Sequence, residues 1–235
     1  MQEDLNFNYN IFFSDSMHTL KNMITPISIY TEMLLSGRVN EEKSQEIVKK
    51  IGVCSESALK VCTDLMNIFR IRGNLMELSR SKVNAYEILH NYTYLVENNC
   101  HQKNIEIVNN VDKSIYIFID MDMMVSAFMN LLNNAIKFSP EGSKITLSGK
   151  VVDQDYYEIY ISDKGVGIDE EKVNEKLQIG TSYSTKGIAG EVGTGLGLLI
   201  VKSAVERNGG LVRAYNNKDV GATFAVKLPL YKSDL

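Results

Sequence analysis

Met121–Gly167 reads MDMMVSAFMNLLNNAIKFSPEGSKITLSGKVVDQDYYEIYISDKGVG, and this stretch decides the fold. Its first part, MDMMVSAFMNLLNNAIKF, repeats apolar residues at helical spacing, with Val125, Phe128, Leu132 and Ala135 expected on the core-facing stripe. SKITLSGKVV and YYEIYISD then read as strands. Outward from there, AYEILHNYTYLVENN predicts a helix, and IEIVNN and SIYIFID predict strands. Downstream, GTGLGLLIVKSAVERN is helical, and LVRAYNN with ATFAVKLPL makes a terminal hairpin around KDVG. Helices mixed with largely antiparallel strands indicate a two-layer α/β sandwich.

The N-terminal third follows another rule. Phe13, Met17, Leu20, Ile24, Ile27 and Leu34 fall at spacings of four and three, with Thr31 in the missing place. After the turn-like SGRVNEEK the spacing returns at Ile47, Ile51, Cys54, Ala58, Val61, Leu65 and Ile68, which predicts a helical hairpin. Such a hairpin leaves half its apolar surface bare, and a second copy covers it most simply as a four-helix bundle, so a homodimer is expected. The alternative is that the hairpin packs on its own C-terminal domain. The helical pattern stops near Arg72 and Gly73, giving an α+β chain with a hairpin over 1–75 and a sandwich over 76–235.

Composition narrows the function. With 44% hydrophobic and 23% charged residues and a net charge of -4, the 235 residues offer no electrostatic reason to expect nucleic acid or an anionic membrane. No apolar run has the length of a spanning helix and MQEDLNFNYN is no signal peptide, so a cytoplasmic location is expected, with any membrane anchor in segments outside this sequence. Cys54, Cys62 and Cys100 lack metal-ligand spacing and read as free thiols.

Three motifs carry chemistry. Asn130, Asn134 and Lys137 stand at i, i+4 and i+7 and share one helix face, where an amide oxygen suits Mg²⁺ and an ammonium suits phosphate; a solvated face gives the same pattern. Asp163-Lys-Gly165-Val-Gly167 follows a strand, where glycines allow a sharp turn and the carboxylate can accept from an exocyclic amine such as adenine's; a plain turn also fits. Gly193-Thr-Gly195-Leu196-Gly197 runs straight into a helix and can cradle phosphates, its alternative being a flexible linker. Between Ile168 and Gly193 lies a polar segment with the length of a lid or a disordered loop.

NLLNNAIKF, SDKGVGI, GTGLGL and the closing GATFAVKLP resemble, in order and spacing, the N, G1, G2 and final G boxes of sensor histidine kinase catalytic domains, across about residues 80–230. The resemblance implies the Bergerat-type ATP-binding fold and Mg-ATP, with Asn134 on the metal and Asn130 and Lys137 on the phosphates. It places Phe138 against the base and Asp163 on the adenine amine, and has Gly165, Gly167, Gly193, Gly195, Leu196, Gly197 and Thr223 shape the pocket and lid. EKLQIGTSYS stands where the family has a phenylalanine-rich box.

The same resemblance asks for a histidine on the first helix of the hairpin. His18, in HTLKNMITPI, is similar to the HExKNPLTPI form of the family's H box, with His18 and Asn22 together on an outward face. A rival register, setting Lys21-Asn-Met-Ile-Thr25-Pro26 against HExxTP, would put lysine in the histidine slot and lose the nucleophile. The family's chemistry implies transfer of phosphate from ATP to His18 and on to an aspartate of a response regulator, with Asn22 positioning water for the regulator's dephosphorylation. Thr19 replaces the acidic neighbour that accepts the imidazole proton, and Met23 replaces a proline. The second reading is therefore an ATP-binding dimer that docks or dephosphorylates a regulator with little autokinase activity. A third, an ATP-gated clamp like the gyrase and chaperone relatives, shares the pocket but has no use for the hairpin or His18. His90 and His101 read as structural.

Overall fold

A computed structural model of the protein describes residues 9–72, 77–179 and 194–232. The chain divides into two compact units, Met1–Asn67 and Ile68–Leu235, so the division falls inside a helix and ahead of the 75/76 boundary read from the sequence.

The first unit is a helical hairpin of α1 (Tyr9–Leu35) and most of α2 (Glu41–Arg72). Its turn is built from local chemistry. Ser36 donates its amide to Glu32 O at 3.0 Å, and Gly37 adopts φ +67°, which closes the carbonyl end of α1. Asn40 then accepts the Lys43 amide at 2.9 Å, while Glu41 and Glu42 favour the positive start of α2. The seam is only half covered. Ile47, Ala58, Val61 and Leu65 of α2 are buried, and Leu20, Ile27 and Leu34 of α1 are half-buried, but Met17 and Ile24 are 43% and 46% exposed. Ile51 and Cys54 are half-buried, and the Phe13 side chain lies outside the described residues.

The second unit holds β1 (Ser81–Asn84), α3 (Ala85–Leu95), α4 (Glu97–Gln102), β2 (Glu106–Asn109), β3 (Tyr116–Ile119) and α5 (Met121–Phe138). After these come β4 (Lys144–Asp153), β5 (Tyr156–Ser162), α6 (Glu170–Ile179), α7 (Gly197–Arg207), β6 (Leu211–Asn216) and β7 (Ala222–Pro229). Five strands form one sheet in the order β2-β4-β5-β7-β6, antiparallel except for the parallel β2/β4 pair, and β1 pairs with β3 in a separate ribbon. Alternation puts Ile145 and Leu147, Tyr157, Ile159 and Ile161, Phe224, Val226 and Leu228, and Val212 and Ala214 on one face. That face closes a single core with Ala127, Phe128, Leu131, Leu132 and Ala135 of α5 and Val201, Ala204 and Val205 of α7. Val125 is only half-buried, because the inward stripe of α5 runs through Met124, Ala127 and Leu131.

Other sequence readings are corrected by the fold. The helix expected over 85–99 is two helices, broken at Val96, and the polar stretch after Ile168 forms helix α6 over its first ten residues. Asp169 starts α6 by accepting the Lys172 amide at 3.2 Å, and Val173 and Leu177 are its buried side chains. β1 was not apparent from the sequence. Residues 180–193 lie outside the described residues.

Candidate functional site

Helix α5 is fixed at both ends. At its start Asp120, buried, accepts the Met123 amide at 3.1 Å and the Ser79 amide at 2.9 Å, while its own amide donates to Asn208 Oδ1 at 2.7 Å. At its end Lys103 Nζ donates to the carbonyls of Ile136 and Lys137 at 3.1 and 3.0 Å, an ammonium on the negative end of the helix. The helix therefore presents Asn130, Asn134 and Lys137 from a rigid base, all half-buried on the side away from the core. Asn130 donates Nδ2 to Ser126 O at 2.8 Å, which turns its Oδ1 away from its own helix. The Lys137 ammonium lies 4.9 Å from the centre of the Phe138 ring.

The two glycine motifs close on this helix at two places, its carbonyl end and the middle of its polar face. A Cβ added to Gly165 would come within 2.2 Å of Phe138 O, so the turn after β5 packs its backbone against the carbonyl end of α5. A Cβ added to Gly197 would come within 2.7 Å of Asn130 Oδ1, so the start of α7 packs against the polar face two turns earlier, roughly 12 Å away along the axis. At Gly165 the obstacle is backbone, so only glycine allows the approach, whereas at Gly197 it is the tip of the Asn130 side chain, which a methyl group would displace. Leu196, buried, is the N-cap of α7 and supplies no side-chain cap; its amide donates to Thr194 Oγ1 at 3.3 Å, and Gly195 before it has φ +76°. Uncapped amides at the positive end of a helix suit an anion. Gly193 lies outside the described residues.

Asp163 sits where β5 ends, 5% exposed. Its amide continues the ladder to Ala222 O at 2.9 Å, and its Oδ1 accepts the amides of Gly165 at 2.8 Å and Ala222 at 3.1 Å. Among the described residues Oδ2 takes no such bond, which leaves an oriented acceptor. Burial pushes the carboxyl upward from its ordinary pKa, and the two amides pull it back.

Below the turn lies a polar network that sequence reasoning missed. Asn217 Nδ2 donates to Asp163 O at 2.8 Å, and Asn217 Oδ1 accepts from Thr223 Oγ1 at 2.6 Å. Thr223, buried, also lies 2.8 Å from Ser162 Oγ, so its hydroxyl is engaged beneath the turn. Asn216 brackets Ile168, accepting its amide at 2.7 Å and donating to its carbonyl at 2.9 Å, and it touches the place a Gly167 side chain would occupy. Gly221, at φ +89°, leaves no room at all, since a Cβ there would stand 2.1 Å from Asp163 O. The signal was the Asn216-Asn217 pair with Gly221 at the hairpin read only as a turn.

His18 and Asn22 belong to the first unit. Both are exposed, with Asn22 Nδ2 3.2 Å from His18 Nδ1. On α3 His90 stacks on Tyr86 at 5.7 Å and meets Tyr94 edge-on at 5.0 Å, and His101 lies 3.6 Å from Glu97.

Residues 119–232 match the family model of histidine kinase-, DNA gyrase B- and HSP90-like ATPases. The second unit carries an ATPase domain of this family. The matched segment spans all three motifs, and the chain is related to the sensor histidine kinases of two-component signal transduction. It is 30% identical over 230 residues to hybrid signal transduction histidine kinase D of Dictyostelium discoideum, covering 93% of this chain and 14% of that protein. With the sensor histidine kinase WalK of Bacillus subtilis it shares 26% over 242 residues, covering 99% of this chain and 38% of that one. The chain thus spans well under half the length of these two curated relatives. Among solved structures, Acinetobacter baumannii histidine kinase AdeS superposes with a TM-score of 0.70 at 19% identity, over 92% of this chain and 98% of that one. Histidine kinase ThkA, solved in complex with the response regulator protein TrrA, gives 0.72 at 17% identity over 95% and 63%. Both show the α+β fold of a helical region followed by the ATPase domain. Among the described residues no helix is long and apolar enough to cross a membrane.

Proposed function

We propose that the chain is the catalytic core of a sensor histidine kinase, which moves the γ-phosphoryl group of ATP to His18 and then to an aspartate of a response regulator. The observation that carries this reading is the convergence on α5 of Asp163, whose Oδ2 takes no hydrogen bond among the described residues, and of the uncapped start of α7, one at each end of the Asn130–Asn134–Lys137 face. Adenine has an exocyclic amine to donate to Asp163 Oδ2. Phe138 offers its ring to the base, Gly165 and Gly167 hold the turn open, and Thr223 acts through Asn217 to hold Asp163 in place. The phosphates then meet Lys137, Asn130 and the amides after Leu196 and Gly197.

A magnesium ion fits the same face. The protein oxygens that the Asn130–Asn134–Lys137 face offers are amide oxygens, Asn134 Oδ1 first. That suits an ion held chiefly by phosphates and water, which supplies charge neutralisation at the transferring group when bound. His18 is exposed, as a nucleophile that must meet both a nucleotide and a regulator requires. ThkA, which shares the fold, was solved with a response regulator, and this chain is read as taking the same class of partner. Bare Met17 and Ile24 on the seam favour a homodimer, since a second copy offers them the same half-covered stripe.

Labelling tests the reading. Incubation with γ-labelled ATP and Mg²⁺ is expected to give an acid-labile, base-stable label on the protein that His18→Ala abolishes. ATP hydrolysis with no labelled protein, or a label that survives His18→Ala, would overturn it.

A further inference from the structure

Thr19 supplies no carboxylate beside His18, yet the imidazole is not left without a hydrogen-bond partner. One turn along α1, Asn22 points its amide at Nδ1, 3.2 Å away. With Nδ2 donating, as in this arrangement, Nδ1 spends its lone pair on the amide and the ring proton sits on Nε2. Neither nitrogen then has a lone pair free to attack phosphorus. Turning the amide over about its terminal torsion puts Oδ1 against the ring instead. Nδ1 then carries the proton and donates it to Oδ1, and Nε2, pointing outward, has its lone pair free. Among the described residues Asn22 Oδ1 makes no other hydrogen bond, and both side chains are exposed, so the exchange sacrifices no bond within the protein.

We propose that Asn22 is a positioning residue whose amide selects the tautomer of His18, resting when Nδ2 donates and reactive when Oδ1 accepts. This rests on the reading of His18 as the phosphoacceptor. In the reactive form the Nε2 lone pair forms the N–P bond as the bond from the γ-phosphorus to the bridging oxygen breaks, and ADP leaves with that electron pair. The Nδ1 proton stays on the ring, which becomes a phosphoimidazolium held by Asn22 Oδ1, and passes to water afterwards. An amide oxygen is too weak a base to take the proton itself, so Asn22 steers the ring without replacing the missing acid.

Two variants of the full chain test this, Asn22→Asp, which can only accept, and Asn22→Leu, which does neither. The ¹⁵N shifts of the His18 ring are read by long-range proton–nitrogen correlation and assigned by their loss in His18→Ala. The rate of label transfer is measured alongside, at about pH 9, so that a carboxylate neighbour does not leave the imidazole charged. Asn22→Asp is expected to move the proton to Nδ1 and raise the rate about tenfold, the kinetic equivalent of one hydrogen bond. Asn22→Leu is expected to show the tautomer mixture of a free imidazole and a rate between the other two. Identical ¹⁵N patterns in all three proteins, or Asn22→Asp as the slowest, would overturn the proposal. If none of the three takes label, the phosphoacceptor reading fails, and the ¹⁵N patterns still decide the role of Asn22.

Discussion

Gly37 in the hairpin turn and Gly221 beside the proposed nucleotide site both take positive φ, +67° and +89°, and there the likeness ends. Around Gly37 nothing among the described residues lies within 4 Å of an added Cβ, whereas at Gly221 the Asp163 carbonyl oxygen stands 2.1 Å away. The same backbone conformation therefore serves a loose connection in one unit and a close-packed one in the other. The difference extends to the chemistry. In the ATPase domain Asp163, the proposed partner of the base, is held by a buried bond from Ala222, 59 residues away, while His18 and Asn22 lie exposed on a single helix. A nucleotide pocket must keep its shape, whereas a phosphoacceptor has to be reached by two different partners.

The strongest way to break this contrast is Gly221→Ala. A methyl group there must displace the Asp163 carbonyl and accept a left-handed backbone, which together cost about 3 kcal/mol or more. Thermal unfolding should show a single large drop for the ATPase domain, and binding of a fluorescent ATP analogue should vanish. A variant that keeps the wild-type midpoint would mean that the turn yields easily and the contrast is false.

Asp163→Asn separates binding from stability. Asn can accept the Gly165 and Ala222 amides through Oδ1 just as the carboxylate does, but it puts an NH₂ where Oδ2 would accept from adenine. Affinity for ATP should fall about ten- to a hundredfold, the worth of a hydrogen bond to a charged group. Because burial raises the Asp163 pKa, the folded domain holds that proton more tightly than the unfolded chain does. The carboxyl therefore favours the ligand-free fold most below the ordinary aspartate range, and this contribution declines as pH rises through the raised folded value. The asparagine variant should lack that decline and melt higher than wild type near neutral pH. ATP binding should weaken in the wild type as pH falls through the same window, as titration calorimetry would show.

The sequence made some of this legible and hid the rest for a physical reason. Helix α5 was readable from its period because its own stripe decides it, and β4, β5, β6 and β7 were readable from alternation that the sheet face imposes. α6 was not, since only Val173 and Leu177 point inward from an otherwise polar run and α6 shows little periodicity. The support beneath Asp163 was hidden more deeply. Asn217 reaches Asp163 O across 54 residues, and Asn216 reaches Ile168 across 48, so no local pattern marks either. What motif spacing pointed to was the rim of the site, and what it missed was the scaffolding under it.

On the hairpin side the larger effect belongs to Ile24→Lys, which puts a charge on the bare half of the seam. If a second copy covers that stripe, dimer affinity should weaken at least about tenfold in sedimentation, because each protomer loses one buried Ile. ATP binding should stay unchanged. A monomeric wild type would remove the dimer from the proposal and leave the nucleotide site standing.

Gly37→Ala is the smallest effect and the counterpart to Gly221→Ala. With open space around it, the substitution costs only the left-handed backbone, about 1 kcal/mol. The hairpin should lose a little stability in urea while neither ATP binding nor the ATPase domain's unfolding moves. A loss as large as that of Gly221→Ala would require neighbours other than the described residues of this chain. A second copy pressed against the turn would supply them, which would extend the dimer interface from Met17 and Ile24 to the end of the hairpin.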